Sequence, residues 1–212
     1  MQKEKSERIS NPKLWKKAMN YISKRDRRLA AVMRKYGPIR MHLIKNRYEA
    51  ILQSFINQQI SGSAADSIIS KFKKMYGGNF PTPAEFLKAR ESDLKLAGIS
   101  TQKYSYIRDF CERISNHEID LNSIDNLPDE EVIAILDDVR GIGRWTAEMF
   151  LIFSLGRMNV FPADDLGIAN AIQILYKDKE RPKREALAKM SMKWHPYKSV
   201  ATIYLWKSLE NR

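Results

Sequence analysis

The chain has 212 residues, 43% of them hydrophobic, enough for one globular unit or two small packed subdomains. Its 37 Lys and Arg against 25 Asp and Glu leave a net charge of +12, which favours polyanions as partners, DNA and RNA first. The single cysteine, Cys111, excludes an intrachain disulfide and an all-cysteine zinc or iron–sulfur site, and the N-terminus has no apolar secretory core. The apolar run from Met149 to Leu155 is too short to span a bilayer, so an intracellular protein without membrane association is expected.

In chain order, the first ten residues are polar and are expected to fray. Asn11 before Pro12 reads as an N-cap followed by the favoured first-turn proline, opening a helix with Leu14, Trp15, Ala18 and Tyr21 on one side. A second helix through Leu29, Val32 and Met33 stops at Gly37-Pro38. Lys24, Arg25, Arg27, Arg28, Arg34 and Lys35 cluster here, as either a DNA-facing patch or a solvated face. Tyr48, Ile51, Phe55 and Ile56 form the apolar stripe of a helix ending near Gln59, and Ser61 or Ser63 caps the next, through Ala64, Ile68, Ile69 and Phe72. Thr82-Pro83 repeats the cap-plus-proline signature, Leu94 to Gly98 forms another helix end, and Ser100 or Thr101 caps a long segment through Tyr104, Ile107 and Phe110. Pro128 opens a further helix, and three more follow around Ile168–Leu175, Lys183–Met190 and Tyr197–Leu209. With ten or eleven helices and almost no strand pattern, the chain is expected to be all-α.

The segment from Leu136 to Ile172 carries most of the information. A helix ending at Arg140 meets Gly141-Ile142-Gly143, then a second helix containing Arg144, Trp145, Thr146 and Phe150. The glycines let the backbone turn and approach a ligand closely, and the amides that open the second helix form an anion site. On a basic chain this reads as a clamp on a nucleic-acid phosphate. A loop through Gly156 and Pro162 then delivers two carboxylates, Asp164 and Asp165, where a helix N-cap belongs.

This ordered combination closely resembles the helix-hairpin-helix superfamily of DNA base-excision glycosylases, and GIGRWTA with the later PADD resembles its 3-methyladenine DNA glycosylase II branch, in the compact form without an N-terminal β domain. The resemblance implies two helical subdomains flanking a DNA-binding cleft: residues 1–45 with 160–212, and a central bundle of residues 46–159 holding the helix-hairpin-helix at 136–153. It implies a duplex-DNA partner, a monomer, and no required cofactor and no iron–sulfur cluster. A monovalent cation, Na⁺ or K⁺, would sit on the backbone carbonyls of Asp137, Val139 and Gly141. The INQQISGSAA segment matches the family loop that wedges into the duplex where the target base was, with Gln59 at the wedge position and Ile60 the neighbouring candidate. Gln58 and Ser61 flank it on the DNA side, as Gly141, Ile142, Gly143, Arg144, Thr146 and Asp164 do at the hairpin and loop.

Breaking an N-glycosidic bond requires a carboxylate beside C1′, because the transition state carries positive charge on the sugar. The resemblance assigns this to Asp165 and leaves Asp164 as helix cap or orienter. Bifunctional members carry a lysine after the hairpin arginine that attacks C1′ as an amine. Trp145 stands there instead, implying a monofunctional enzyme that uses water. Alkylation at N3 of adenine or N7 of guanine makes the base cationic, and an indole face attracts it. The resemblance accordingly places Trp145 and Trp206 in the base pocket, with Met149 and Leu166 where some relatives have tyrosine. Two rivals remain open: a glycosylase for oxidised or deaminated bases, and a non-enzymatic DNA-binding module that keeps the hairpin. His42, His117 and His195 are scattered without metal-ligand spacing, and packing is the expected role of His195.

Overall fold

The computed structural model describes residues 8–210, and among them twelve α-helices and no strand. That is one or two more than the expected ten or eleven; the two six-residue helices Pro83–Lys88 and Glu91–Leu96 are separate, as the sequence suggests, because Ala89 and Arg90 adopt extended backbone between them. The chain divides into two compact units, residues 1–43 with 148–212 and residues 44–147. The second division falls between Ala147 and Glu148, not near residue 160. Phe150 to Leu155 therefore belong with the terminal helices, where the Phe153 ring stacks on Trp206.

In the terminal unit, α1 (Pro12–Arg25) starts as its sequence requires: the Asn11 side chain accepts from the amides of Lys13 and Leu14, and proline fills the first turn. Its buried stripe is Trp15, Ala18 and Ile22. Asp26 ends α1 and caps α2 (Arg27–Tyr36), accepting the Leu29 amide at 3.0 Å. After a gap in sequence come α10 (Leu166–Tyr176), α11 (Arg184–Ser191) and α12 (Lys198–Lys207). Helix α12 is buried continuously from Ser199 to Leu205, which makes it the unit's central strut. The Tyr204 hydroxyl accepts from the Trp15 indole at 3.2 Å and donates to the Gly37 carbonyl at 2.6 Å, so both buried polar groups are satisfied. Residues 1–7 lie outside the described part, so the expected fraying bears only on Arg8 to Ser10. There the expectation is corrected: Ile9 is buried and donates its amide to the Gly156 carbonyl at 2.8 Å. His195 is also corrected, being exposed while Trp194 and Tyr197 on either side do the packing.

The middle unit holds α3 (Arg47–Asn57), α4 (Gly62–Lys74), α5 (Pro83–Lys88), α6 (Glu91–Leu96), α7 (Thr101–Ser115) and α8 (Asp129–Asp137). Its core is aromatic. Phe72 meets Phe80 and Phe86 edge-on, and Phe55 meets Phe110 at 6.1 Å. Each such side chain contributes about 1.5–3 kcal/mol by burial. Thr82 and Glu85 form a full capping box at the head of α5. Arg47 and Asp125 form a two-pronged ion pair at 2.9 and 3.0 Å that pins the 124–126 turn to the start of α3. Helix α9 (Arg144–Phe150) carries the chain across the division and runs into a π turn, Leu151–Leu155.

Candidate active site and nucleic-acid interface

The Gly-x-Gly turn sits between α8 and α9, and its two glycines do different work. Gly141 has φ +86°, and a Cβ there would lie 2.3 Å from the Tyr106 ring, so both backbone conformation and packing demand glycine. Gly143 is the opposite case: its φ is ordinary and an added Cβ would meet nothing within 4 Å. What Gly143 supplies is bare backbone at the mouth of α9, where the first amides of a helix have no partner within the helix itself. Ile142 and Val139 bury their side chains, which fixes the turn from beneath. Asp109 accepts the Arg140 amide at 3.0 Å, and Arg113 spans Asp109 and Asp138 at 3.2 and 2.5 Å. Arg144 is held in a fork by Glu130 at 2.6 and 3.0 Å, and its guanidinium keeps the Glu130 carboxyl below the usual range.

The candidate wedge loop lies against this turn. Helix α3 ends at Asn57, where the Lys103 ammonium donates to the Ile56 carbonyl at 2.6 Å, and burial lowers that lysine's pKa. Gln58 turns inward, its amide donating to the Gly141 carbonyl at 2.8 Å. Gln59 then takes a left-handed conformation, φ +59°, rare for a residue with a Cβ. Gln59, Ile60 and Ser61 are all exposed, and Ser61 caps α4 through the Ala64 amide. The loop tip is thus presented outward from a base tied to the hairpin.

In the terminal unit, Asp165 caps α10. Its Oδ1 accepts the Ile168 amide at 2.7 Å and the Trp206 indole N–H at 3.0 Å. Of the two roles expected for Asp164, helix cap or orienter, the cap is corrected, since Asp165 supplies it; Asp164 is exposed and pairs with Arg184 at 3.2 Å. Capping and the candidate catalytic position fall on one residue. Gly167 makes the arrangement possible, since a Cβ there would lie 2.9 Å from Asp165 Oδ1 and 3.4 Å from the Trp206 ring. Phe153, placed by the π turn, stacks on the other part of Trp206 at 6.0 Å with planes 19° apart. A π turn beside a functional constellation is a recurring use of that geometry. Of the other candidates, Trp145 is 45% exposed and Leu166 66% exposed, which is not the burial of core residues. Met149 and Thr146 are half-buried.

Cys111 is buried against the Tyr48 hydroxyl, and burial pushes its thiol up to about 12, so it is no nucleophile. Among the described residues, no group of three His, Cys, Asp or Glu is arranged to hold a metal, and no helix is long and apolar enough to cross a membrane. Sequence reasoning missed Phe153, Tyr106 and Gly167. Only Gly167 left a signal, as a glycine in the first turn of an apolar helix.

Residues 52–196 match the HhH-GPD superfamily of base excision DNA repair proteins, and the chain belongs to that family. The chain is 35% identical over 184 residues to DNA-3-methyladenine glycosylase 1 of Schizosaccharomyces pombe, covering 86% of this chain and 81% of that protein. It is 31% identical over 198 residues to the alkylbase DNA glycosidase-like protein mag2 of the same yeast, covering 91% and 93%. Among solved structures, the DNA-3-methyladenine glycosidase of Bacillus halodurans superposes with a TM-score of 0.82 at 31% identity, covering 92% of this chain and 89% of that one. The Schizosaccharomyces pombe 3-methyladenine DNA glycosylase in complex with abasic DNA gives 0.81 at 33% identity, covering 90% and 95%.

Proposed function

We propose that the protein is a monofunctional DNA glycosylase of base excision repair. It extrudes alkylated bases of the 3-methyladenine and 7-methylguanine type from duplex DNA and hydrolyses the N-glycosidic bond to leave an abasic site. The observation that carries this reading is Asp165, fixed through Oδ1 by the Ile168 amide and the Trp206 indole at the head of α10, in a chain of this family. As the C1′–N bond breaks, its electron pair leaves with the base, whose alkyl-induced positive charge is thereby neutralised. Water adds to C1′, Asp165 stabilises the cationic sugar, and the water proton passes to that carboxylate. An indole face attracts a cationic base; in the middle unit Trp145 exposes one, and in the terminal unit Trp206 lies beside the Asp165 carboxylate.

The hairpin is the phosphate anchor, and Gln59 or Ile60 fills the space left by the base, which lowers the cost of extrusion. The carbonyls of Asp137, Val139 and Gly141 would hold a monovalent cation that adds charge against the phosphate. Gly141 has one lone pair for this, its other being used by Gln58. The enzyme acts as an intracellular monomer on double-stranded DNA.

The test is release of free base from methylated duplex DNA at one fixed salt concentration, wild type against Asp165→Asn. Release by wild type, reduced about 100-fold or more in the variant with folding intact, supports both reaction and residue. Equal release by both moves the chemistry to Asp164 or another group. No release by either, with DNA still bound, would leave the non-enzymatic module or a different base class.

A further inference from the structure

The positive charge of this protein is not spread over it. Residues 1–43 with 148–212 hold 24 of the 37 Lys and Arg but only 10 of the 25 Asp and Glu, a net of +14. Residues 44–147, which contain the hairpin turn and the wedge loop, hold 13 and 15, a net of −2. The phosphate anchor therefore sits in a unit with no charge excess to draw a polyanion in.

The pairing pattern sharpens the contrast. In the middle unit, Arg47, Lys73, Arg90, Lys95, Arg108, Arg113 and Arg144 each face a carboxylate within ion-pair distance. On α1, α2 and the segment after them, Lys13, Lys16, Lys17, Lys24, Arg25, Arg27, Arg28, Arg34, Lys35 and Arg40 are all exposed. Among the described residues none of these ten forms an ion pair. From Arg8 to Leu43 there is one acid, Asp26, and it is 4% exposed. Its carboxylate is spent internally on the Leu29 amide, the Trp194 indole, the Tyr176 hydroxyl and Lys193. A helix pair that only needs solubility gains from mixing signs at i,i+3 and i,i+4, whereas Lys13 faces Lys16 and Lys17 at those spacings. A single-sign surface kept at that cost reads as an electrostatic footprint.

We infer that the exposed face of α1 and α2 is a second duplex-phosphate surface, distinct from the hairpin, that holds the protein on undamaged DNA. This rests on the glycosylase reading above. Phosphate contacts of this kind carry no sequence information and release counterions, so they suit retention while bases are inspected. An anionic membrane is the poorer partner: no large apolar side chain is exposed between residues 8 and 43, and Trp15 is buried.

The experiment compares two variants with the same charge change. One replaces Lys16, Lys17, Arg27 and Arg34 with Gln; the other replaces Lys45, Lys71, Lys74 and Lys88, exposed cations of the middle unit. Affinity for an undamaged duplex is measured by fluorescence anisotropy from about 50 to 200 mM salt, the range over which phosphate contacts dominate. The α1–α2 variant should lose about 2 from the slope of log K against log salt, equivalent to two lost phosphate contacts, and bind about tenfold more weakly. The middle-unit variant should keep the wild-type slope. Base release from a methylated duplex, in single turnover at saturating enzyme, should stay within about twofold of wild type for both, which also shows that they fold. Equal slope losses in the two variants would reduce the surface to bulk net charge and overturn it. A loss confined to RNA or to anionic vesicles would overturn it too. If wild type releases no methylated base while the slopes still differ, the substrate assignment falls and the surface stands; release intact with equal slopes sinks the surface alone.

Discussion

The Trp206 indole N–H donates to Oδ1 of Asp165 at 3.0 Å, across 41 residues of sequence, and the same oxygen takes the Ile168 amide at 2.7 Å. Two donors on one oxygen fix the carboxylate's rotation, and the Phe153 ring fixes the indole. A hydrogen bond to a charged group is worth about 1.5–3 kcal/mol. Trp206→Phe keeps a ring on Phe153 but removes the donor. Base release in single turnover should fall about 10- to 100-fold with duplex affinity within twofold. Unchanged release would mean that Trp206 serves only as a ring surface.

Gly167 tests the same relationship sterically. Alanine in a helix favours stability by up to about 1 kcal/mol over glycine, yet here its methyl would stand 2.9 Å from Asp165 Oδ1. Gly167→Ala should therefore slow base release by an order of magnitude or more while the melting temperature falls little or not at all. Parallel loss of both would show a packing defect instead.

The two hairpin glycines should separate cleanly. Gly141→Ala meets both a left-handed φ and the Tyr106 ring, so it should cost about 1–3 kcal/mol of stability in denaturant melts and weaken DNA binding with it. Gly143→Ala adds a methyl to open space, so stability should hold while affinity for duplex drops, because the methyl crowds the amides at the head of α9. Loss of stability in Gly143→Ala would contradict this division of roles.

The residue after Arg144 is Trp145, and an indole, unlike an amine, cannot form a Schiff base, so the proposed monofunctional chemistry has a direct test. Borohydride added during turnover on methylated DNA should trap no covalent protein–DNA complex, and strand nicking should appear only after alkali. A trapped complex would assign a lyase activity to another amine.

Asp26 governs the acid stability of the terminal unit. Burial raises its pKa, but the bonds from Lys193, Tyr176 and the Leu29 amide more than offset this and leave it below 3.8. A carboxyl lowered on folding contributes stability that is complete above its unfolded pKa and fades as pH falls below about 3.8 through the folded value. Asp26→Asn should thus cost about 2 kcal/mol at pH 7, with the gap from wild type narrowing only below pH 4. A constant gap down to pH 2 would mean that the charge contributes nothing.

Much of this was legible in the sequence because it is local. Asn11-Pro12, Thr82-Pro83 and Ser100 cap the helices they announce, and the Gly-x-Gly turn lies where its spacing puts it. The pair Asp164-Asp165 was legible as a candidate, but its internal assignment was not. Both are good N-caps, and which one caps depends on where the Pro162 turn releases the chain and on an indole 41 residues away. Likewise the QQ of the loop before α4 marks a polar tip, yet that Gln58 turns in while Gln59 turns out is set by a carbonyl 83 residues further along.

The sequence by itself determined the all-helical class, the basic charge, the exclusion of a cysteine-bound cluster and of a lysine immediately after the hairpin arginine, and the segments that hold the candidate site residues. These depend on residue identity and on spacings of one or two helical turns, where backbone sterics and capping act without the rest of the chain. Only the tertiary structure decided that Asp165 is both cap and indole-bound carboxylate, that Gly141 is required by Tyr106 whereas Gly143 leaves backbone bare, and that among the described residues the exposed cations of α1 and α2 have no carboxylate partner. Those facts arise from packing between distant segments, whose distances, and whose choice of which side chain is buried, are fixed only when the chain closes on itself.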